Sequence, residues 1–109
     1  MIKELNAKRP ETEKASFIAE NATIIGDVKL EEGTTVWYGA VIRGDGDSIR
    51  IGKNTNIQDN TVVHVDPDNP VSIGEGVTIG HSCIIHGCTI GDNCLIGMGS
   101  IIKIGRAHV

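Results

Sequence analysis

Aromatic side chains are nearly missing: 109 residues hold one Phe, one Trp and one Tyr, 3% of the chain, although 39% is hydrophobic. That scarcity speaks against a mixed core built around large rings and points to an aliphatic, repetitive interior. No excess of positive charge is present either. Ten Lys and Arg face fourteen Asp and Glu, a net charge of −4 with both signs scattered, so nucleic acid is not an expected partner. Cys83, Cys88 and Cys94 are odd in number and form no CxxC pair. This argues against a secreted disulfide framework and a Cys-type zinc module, and in favour of reduced thiols in the cytoplasm. No apolar run reaches bilayer-spanning length, and Met1 to Lys14 lacks the apolar stretch of a targeting peptide, so no membrane partner is expected. The acidic segments lack EF-hand spacing, which removes calcium from consideration.

What the chain does have is a period. Ile18, Ile24, Leu30, Val36 and Ile42 are six residues apart, as are Ile51, Ile57 and Val63, and the series resumes at Ile73, Ile79, Ile85, Ile90, Ile96 and Ile102 with one step of five. The fourth residue after each is mostly small or slim: Ala22, Val28, Thr34, Ala40, Gly46, Thr55, Thr61, Val77, Cys83, Thr89, Cys94, Ser100. Neither an amphipathic helix nor an alternating strand has that period. A triangular parallel β-helix does, because three hexapeptides close a circuit of about eighteen residues with the aliphatic residue inside and the small one in a tight corner. The cysteines in small slots read as packing residues. Residues 1–16 read as an N-terminal arm or edge strand, and 17–103 as one all-β solenoid domain. Past Ile102 the lattice would put Arg106 in a small slot and His108 in the core, so 104–109 is expected to be a non-native tail after a truncated solenoid.

The period slips twice, with nine residues from Ile42 to Ile51 and ten from Val63 to Ile73, which predicts protruding loops at Asp45 to Ile49 and Asp66 to Pro70. Counting each slip as a corner loop puts Arg43, His64 and His86 in one outward column. Adjacent coils lie roughly 4.8 Å apart, so both imidazoles can reach one ion. His81 falls on another face, in a column with Tyr38, Asp59 and Met98. A three-histidine centre therefore needs His81 from a second copy. Trp37 and Tyr38 face outward on that same face, where a subunit contact is the expected use.

Ile42 to Asp45 (IRGD), Asn56 to Asn60 (NIQDN), His64 in VVHVD, and Ile79 to Ser100 together resemble the γ-class carbonic anhydrases. The resemblance covers Phe17 to about Ile102. It implies a left-handed hexapeptide β-helix and a homotrimer with zinc, or else ferrous iron or cobalt, held between subunits by His64, His86 and a neighbour's His81. It implies a lyase activity, reversible hydration of carbon dioxide to bicarbonate by a metal-bound hydroxide. Gln58 matches a residue that holds the hydroxide by hydrogen bonding, Asn56 sits in the same motif as a second catalytic candidate, and Arg43, Asp45 and Asp59 match those forming ion pairs between subunits. The family continues with further coils and a C-terminal helix. Where its archetype carries glutamates for proton transfer, this chain has Gly46 and the short loop Asp66 to Pro70, leaving Asp66 and Asp68 as substitutes. Two other functions stay open: a hexapeptide acyltransferase using a single histidine base, and a homologue that assembles without turnover.

Overall fold

The computed structural model describes residues 1–103 and the backbone of 105–107. His108 and the ends of the predicted tail, Ile104 and Val109, lie outside the described residues. The chain winds a left-handed parallel β-helix of about five turns, with no helix among the described residues. Its strands are β1 (Ile2–Lys3), β2 (Phe17–Ile18), β3 (Thr23–Leu30), β4 (Thr35–Val36), β5 (Val41–Ile51), β6 (Asn56–Ile57), β7 (Val62–His64), β8 (Val71–Ile73), β9 (Thr78–Ile79), β10 (Ile84–His86), β11 (Cys88–Ile90), β12 (Leu95–Ile96), β13 (Ile101–Ile102) and β14 (Gly105–Ala107).

Three walls follow from the pairing. β2, β4, β6, β9 and β12 stack as the first wall. The opening residues of β3 and β5 continue through β7, β10 and β13 as the second, and their closing residues continue through β8, β11 and β14 as the third. β3 and β5 turn the second corner without interruption, which joins two walls into one sheet.

The prism is filled by the predicted columns. Ile24, Leu30, Val36, Ile42, Ile51, Ile57, Val63, Ile73, Ile79, Ile85, Ile90 and Ile96 are all buried, while Ile18 and Ile102, in the terminal circuits, are partly covered. Stacked aliphatic columns thus supply the core that aromatics do not. Three buried threonines work at the corners. Thr34 donates to Glu31 O at 3.0 Å, Thr55 to Gly74 O at 2.7 Å and Thr61 to Gly80 O at 2.8 Å. The last two also accept backbone N–H groups from the next circuit, Val77 at 3.1 Å and Cys83 at 3.2 Å. Among the described residues no buried side-chain polar atom lacks a partner.

At the N-terminus β1 pairs with β3, Ile2 opposite Ile24, and Glu11 bridges to Lys29, so residues 1–16 lie against the first full circuit. β14 runs along β11, Gly105 opposite Cys88, so backbone pairing continues beyond Ile102.

Two details of the lattice differ from expectation. The first loop does not include Ile49, which is fully buried opposite Val28; the loop runs from Asp45 to Ser48 against the single Asp27 of the circuit below, and Gly46 is exposed on it instead of filling a small slot. The chain inserts residues after the buried corner glycine, Gly44, and re-enters the wall at Ile49. Likewise the five-residue step from Ile85 to Ile90 turns Cys88 inward, where Thr89 was expected. One residue fewer at the corner shifts the inward position by one, and Thr89 pairs with Ser72 on the outer surface. Both changes, and the Asp66 to Pro70 insertion, occur at the corner between the second and third walls.

Candidate metal centre

The second wall carries Arg43, His64 and His86 in register, Arg43 opposite His64 and His64 opposite His86. The ring centroids of the two histidines are 5.0 Å apart, edge to face. Each Nε2 is engaged by a carboxylate from the inserted loops: His64 with Asp45 Oδ1 at 2.9 Å, His86 with Asp66 Oδ2 at 3.0 Å. Asp45 is also 3.2 Å from Arg43, so within one chain this pair closes on itself. The second loop is pinned by Asn69 N–H donating to Asp66 O at 2.9 Å, with Asp68 at φ 66°, and Gly46 of the first loop packs against Pro67 of the second. The loops therefore support one another beside the imidazoles.

The first wall carries the rest. His81, Gln58, Asn56, Asp59, Trp37 and Thr35 line one groove of about 500 Å³. His81 sits in a turn held from two sides. Ser82 N–H donates to Asp59 O at 2.8 Å, and the Thr61 hydroxyl bridges Gly80 and Cys83. Ser82 has φ 56°, where the stacked positions are Gly39, Asn60 and Gly99, all left-handed too. At Gly39, φ 72°, a Cβ would lie 2.3 Å from Asn60 Oδ1, so a side chain there would have to displace that amide as well as adopt a left-handed backbone. Asp59 Oδ1 lies 3.4 Å from His81 Nδ1, which turns Nε2 away from that carboxylate. A carboxylate on one ring nitrogen with the other directed outward is the usual setting of a metal-ligating histidine. Gln58 Nε2 donates to Asn56 Oδ1 at 3.0 Å, and Asn56 Nδ2 to Thr78 Oγ1 at 3.1 Å.

His64 and His86 are thus together, His81 is with Asn56 and Gln58, and the two groups stand on different walls. Among the described residues no three His, Cys, Asp or Glu groups of one chain converge on a point that could hold an ion. The donor set nevertheless suits a divalent cation. Two stacked imidazoles present nitrogens to anionic oxygens, and a cation there would replace the proton each shares with its carboxylate.

Known proteins resemble this chain over most of its length. The repeat described as hexapeptide repeat of succinyl-transferase matches residues 70–103. The mitochondrial gamma carbonic anhydrase 2 of Arabidopsis thaliana is 47% identical over 104 residues, 90% of this chain and 37% of that protein. A carbonic anhydrase of Geobacillus kaustophilus is 46% identical over 109 residues, all of this chain and 59% of the relative. Among solved structures, a hexapeptide transferase family protein of Anaplasma phagocytophilum superposes with a TM-score of 0.75 at 37% identity, covering 98% of this chain and 79% of that one. The chain belongs to the γ-carbonic anhydrase-like family of hexapeptide-repeat proteins. It spans only about half the length of the curated relatives it matches, between 37% and 59% of those two.

Charge in this family member's second wall is tuned by the loop. Burial pushes the Asp45 carboxyl up, but the hydrogen bond from His64 and the charges of His64 and Arg43 outweigh it and hold the group below the usual carboxylate value. Burial raises the Cys88 thiol, and all three cysteines are buried, which suits packing residues better than nucleophiles or ligands. Trp37 and Tyr38 face outward as expected, and Phe17 packs against both, tilted on Trp37 at 4.7 Å and edge-on to Tyr38 at 6.1 Å between centroids. Sequence reasoning missed two supports of the site. Thr61 passed as a mere small-slot residue. Thr78 drew no notice, although its place in the outward column of Asn56 was available from the same register count.

Proposed function

We propose that the protein is a metal-dependent carbonic anhydrase of the cytoplasm, hydrating carbon dioxide reversibly to bicarbonate at a centre shared by neighbouring copies in a homotrimer. The observation that carries this reading is the division of one donor set between two walls of a single prism. His64 and His86 stand on the second wall; His81, Gln58 and Asn56 stand on the first. When the first wall of one copy meets the second wall of the next, the contact is heterologous, and a threefold rotation closes it into a ring with three equivalent centres.

The outer surfaces support such a contact. Val62, Ile84 and Ile101 form a stacked apolar column on the second wall, 37, 41 and 60% exposed, and the first wall exposes Trp37, Tyr38, Leu95 and Met98. Apolar and aromatic groups at this density suit a buried interface. Arg43, Asp45 and Asp59 then flank the contact, where an arginine fork and carboxylates bridge subunits.

Three neutral imidazoles fit zinc with one open position, and ferrous iron or cobalt would accept the same set. Such an ion lowers the pKa of bound water toward about 7 and so supplies a nucleophile at neutral pH. The protein's part is to place the groups. Asp59 fixes the tautomer and direction of His81. Gln58, anchored by Asn56, presents its amide oxygen to accept a hydrogen bond from the attacking water and so aims it at carbon dioxide in the groove. Cys83 and Cys88, buried thiols outside any disulfide, fit the reducing cytoplasm.

Subunit complementation tests the shared centre directly. His64→Ala and His81→Ala variants should each be inactive in carbon dioxide hydration by stopped flow. Unfolded and refolded together, they should recover activity, because some mixed trimers contain one contact with all three histidines. No recovery from verified mixed trimers would sink the proposal. Likeness to a putative acetyltransferase of Bacillus cereus, 33% identical over 96% of this chain, supports a second reading, acyl transfer with one histidine as base; thiol release from acetyl-CoA would favour it.

A further inference from the structure

Resting on the reading above, we infer that Thr78 is a positioning residue for Gln58, acting through Asn56. Thr78 and Asn56 are directly opposite in β9 and β6, and the Asn56 amide nitrogen donates to the Thr78 hydroxyl at 3.1 Å. The Asn56 amide oxygen accepts from Gln58 Nε2 at 3.0 Å. Untethered terminal amides have broad, roughly two-fold torsions, so neither residue would hold one orientation by itself. With its nitrogen turned to Thr78, Asn56 presents its oxygen to Gln58. Gln58 in turn gives its NH₂ to Asn56 and leaves its own oxygen as the end available to the groove it shares with His81.

The neighbouring positions of the column do not share this task. Opposite Asn56 in the circuit below, the Thr35 oxygen is taken by Trp37 Nε1 at 3.0 Å, and opposite Thr78 in the circuit above stands Leu95, which has no polar group. Thr78 also lies on the strand that runs into the His81 turn, so one segment sets both the histidine and the amide pair.

The test uses the metal-loaded chain and three substitutions. Thr78→Val keeps the branched shape and removes the hydroxyl; we expect kcat for carbon dioxide hydration to fall about three- to tenfold, the worth of one neutral hydrogen bond, with KM unchanged. Thr78→Ser should restore the original kcat, and Thr78→Ala serves should the valine variant not fold. A second readout needs no turnover. In metal-free protein, the side-chain amide ¹H–¹⁵N signals of both Asn56 and Gln58 should shift and exchange faster in Thr78→Val, and stay in place in Thr78→Ser. An unmoved Gln58 signal, an unchanged kcat, or a serine variant as poor as valine would overturn the inference. Should Gln58→Ala leave kcat intact, the carbonic anhydrase reading of the groove fails instead, and the amide signals still report whether Thr78 holds Gln58.

Discussion

The first and second walls share one backbone lattice and acquire their chemistry by different routes. On the second wall the two rings, His64 and His86, meet Asp45 and Asp66, which come from insertions at the adjoining corner. The first wall lies between two corners where every step is six residues, so no loop can bring an acid to it. Its groups are held instead by residues one circuit away or within the same turn: Thr78 for Asn56, Asp59 for His81, Thr61 for the His81 turn. A uniform corner forces a site to be built from the ladder itself, whereas an irregular corner permits it to be built from loops.

The sharpest way to break this comparison is to remove His81, the ligand proposed for the first wall. His81→Ala should lower copurified metal from about one ion per chain to below about one-third, and hydration to background, although both rings of the second wall remain. Metal analysis of the folded variant that returned an undiminished ion content would show that the second wall is sufficient alone. Next in size, Gln58→Ala should leave metal content unchanged and lower kcat about ten- to a hundredfold, read by stopped flow. Smaller again is Thr61→Val. It strands Cys83 N–H and Gly80 O in the buried corner, a loss of about 1–3 kcal/mol, and thermal unfolding should show it. Because that corner carries His81, metal affinity should weaken as well, whereas the matching Thr55→Val should destabilise similarly without that effect.

The smallest effect concerns the loop-built wall. The Asp45 carboxyl has a lowered pKa in the folded chain, so its contribution is present above the unfolded value, near 3.9, and is lost as pH falls through the folded one. Metal-free protein should therefore lose stability on acidification below about pH 4, and Asp45→Asn should flatten that part of the curve by at most about 1 kcal/mol, since the pair is partly solvated. Urea midpoints collected from pH 3 to 6 would show no difference between the two proteins if the Asp45 contacts contribute nothing.

Much of this was legible because the hexapeptide period is a steric rule as well as a statistical one. A column of aliphatics every six residues leaves few other foldings, and counting circuits from Ile18 put Arg43, His64 and His86 on one wall and His81 on another. The register count lost accuracy where the step was not six. It gave the first loop one residue too many, because spacing alone cannot say whether Gly46 or Ile49 fills the slot above Val28; the hydrophobic burial of Ile49 decides it. It misplaced Thr89 for the same reason, since a five-residue step can shorten either the strand or the corner. The hydrogen bonds that orient the site were not visible at all. The register count separates Thr61, in a small slot, from Thr78, in the outward column of Asn56, but only the coordinates show which groups their hydroxyls bond.

One corner absorbs every change of length in the solenoid. Insertions leave the wall after Gly44 and Val65, re-enter at Ile49 and Val71, and restore register within a residue or two. That seam is a natural graft point: a foreign segment spliced between Asp45 and Ser48 would be displayed beside the imidazole pair, while the prism beneath continued to wind as before.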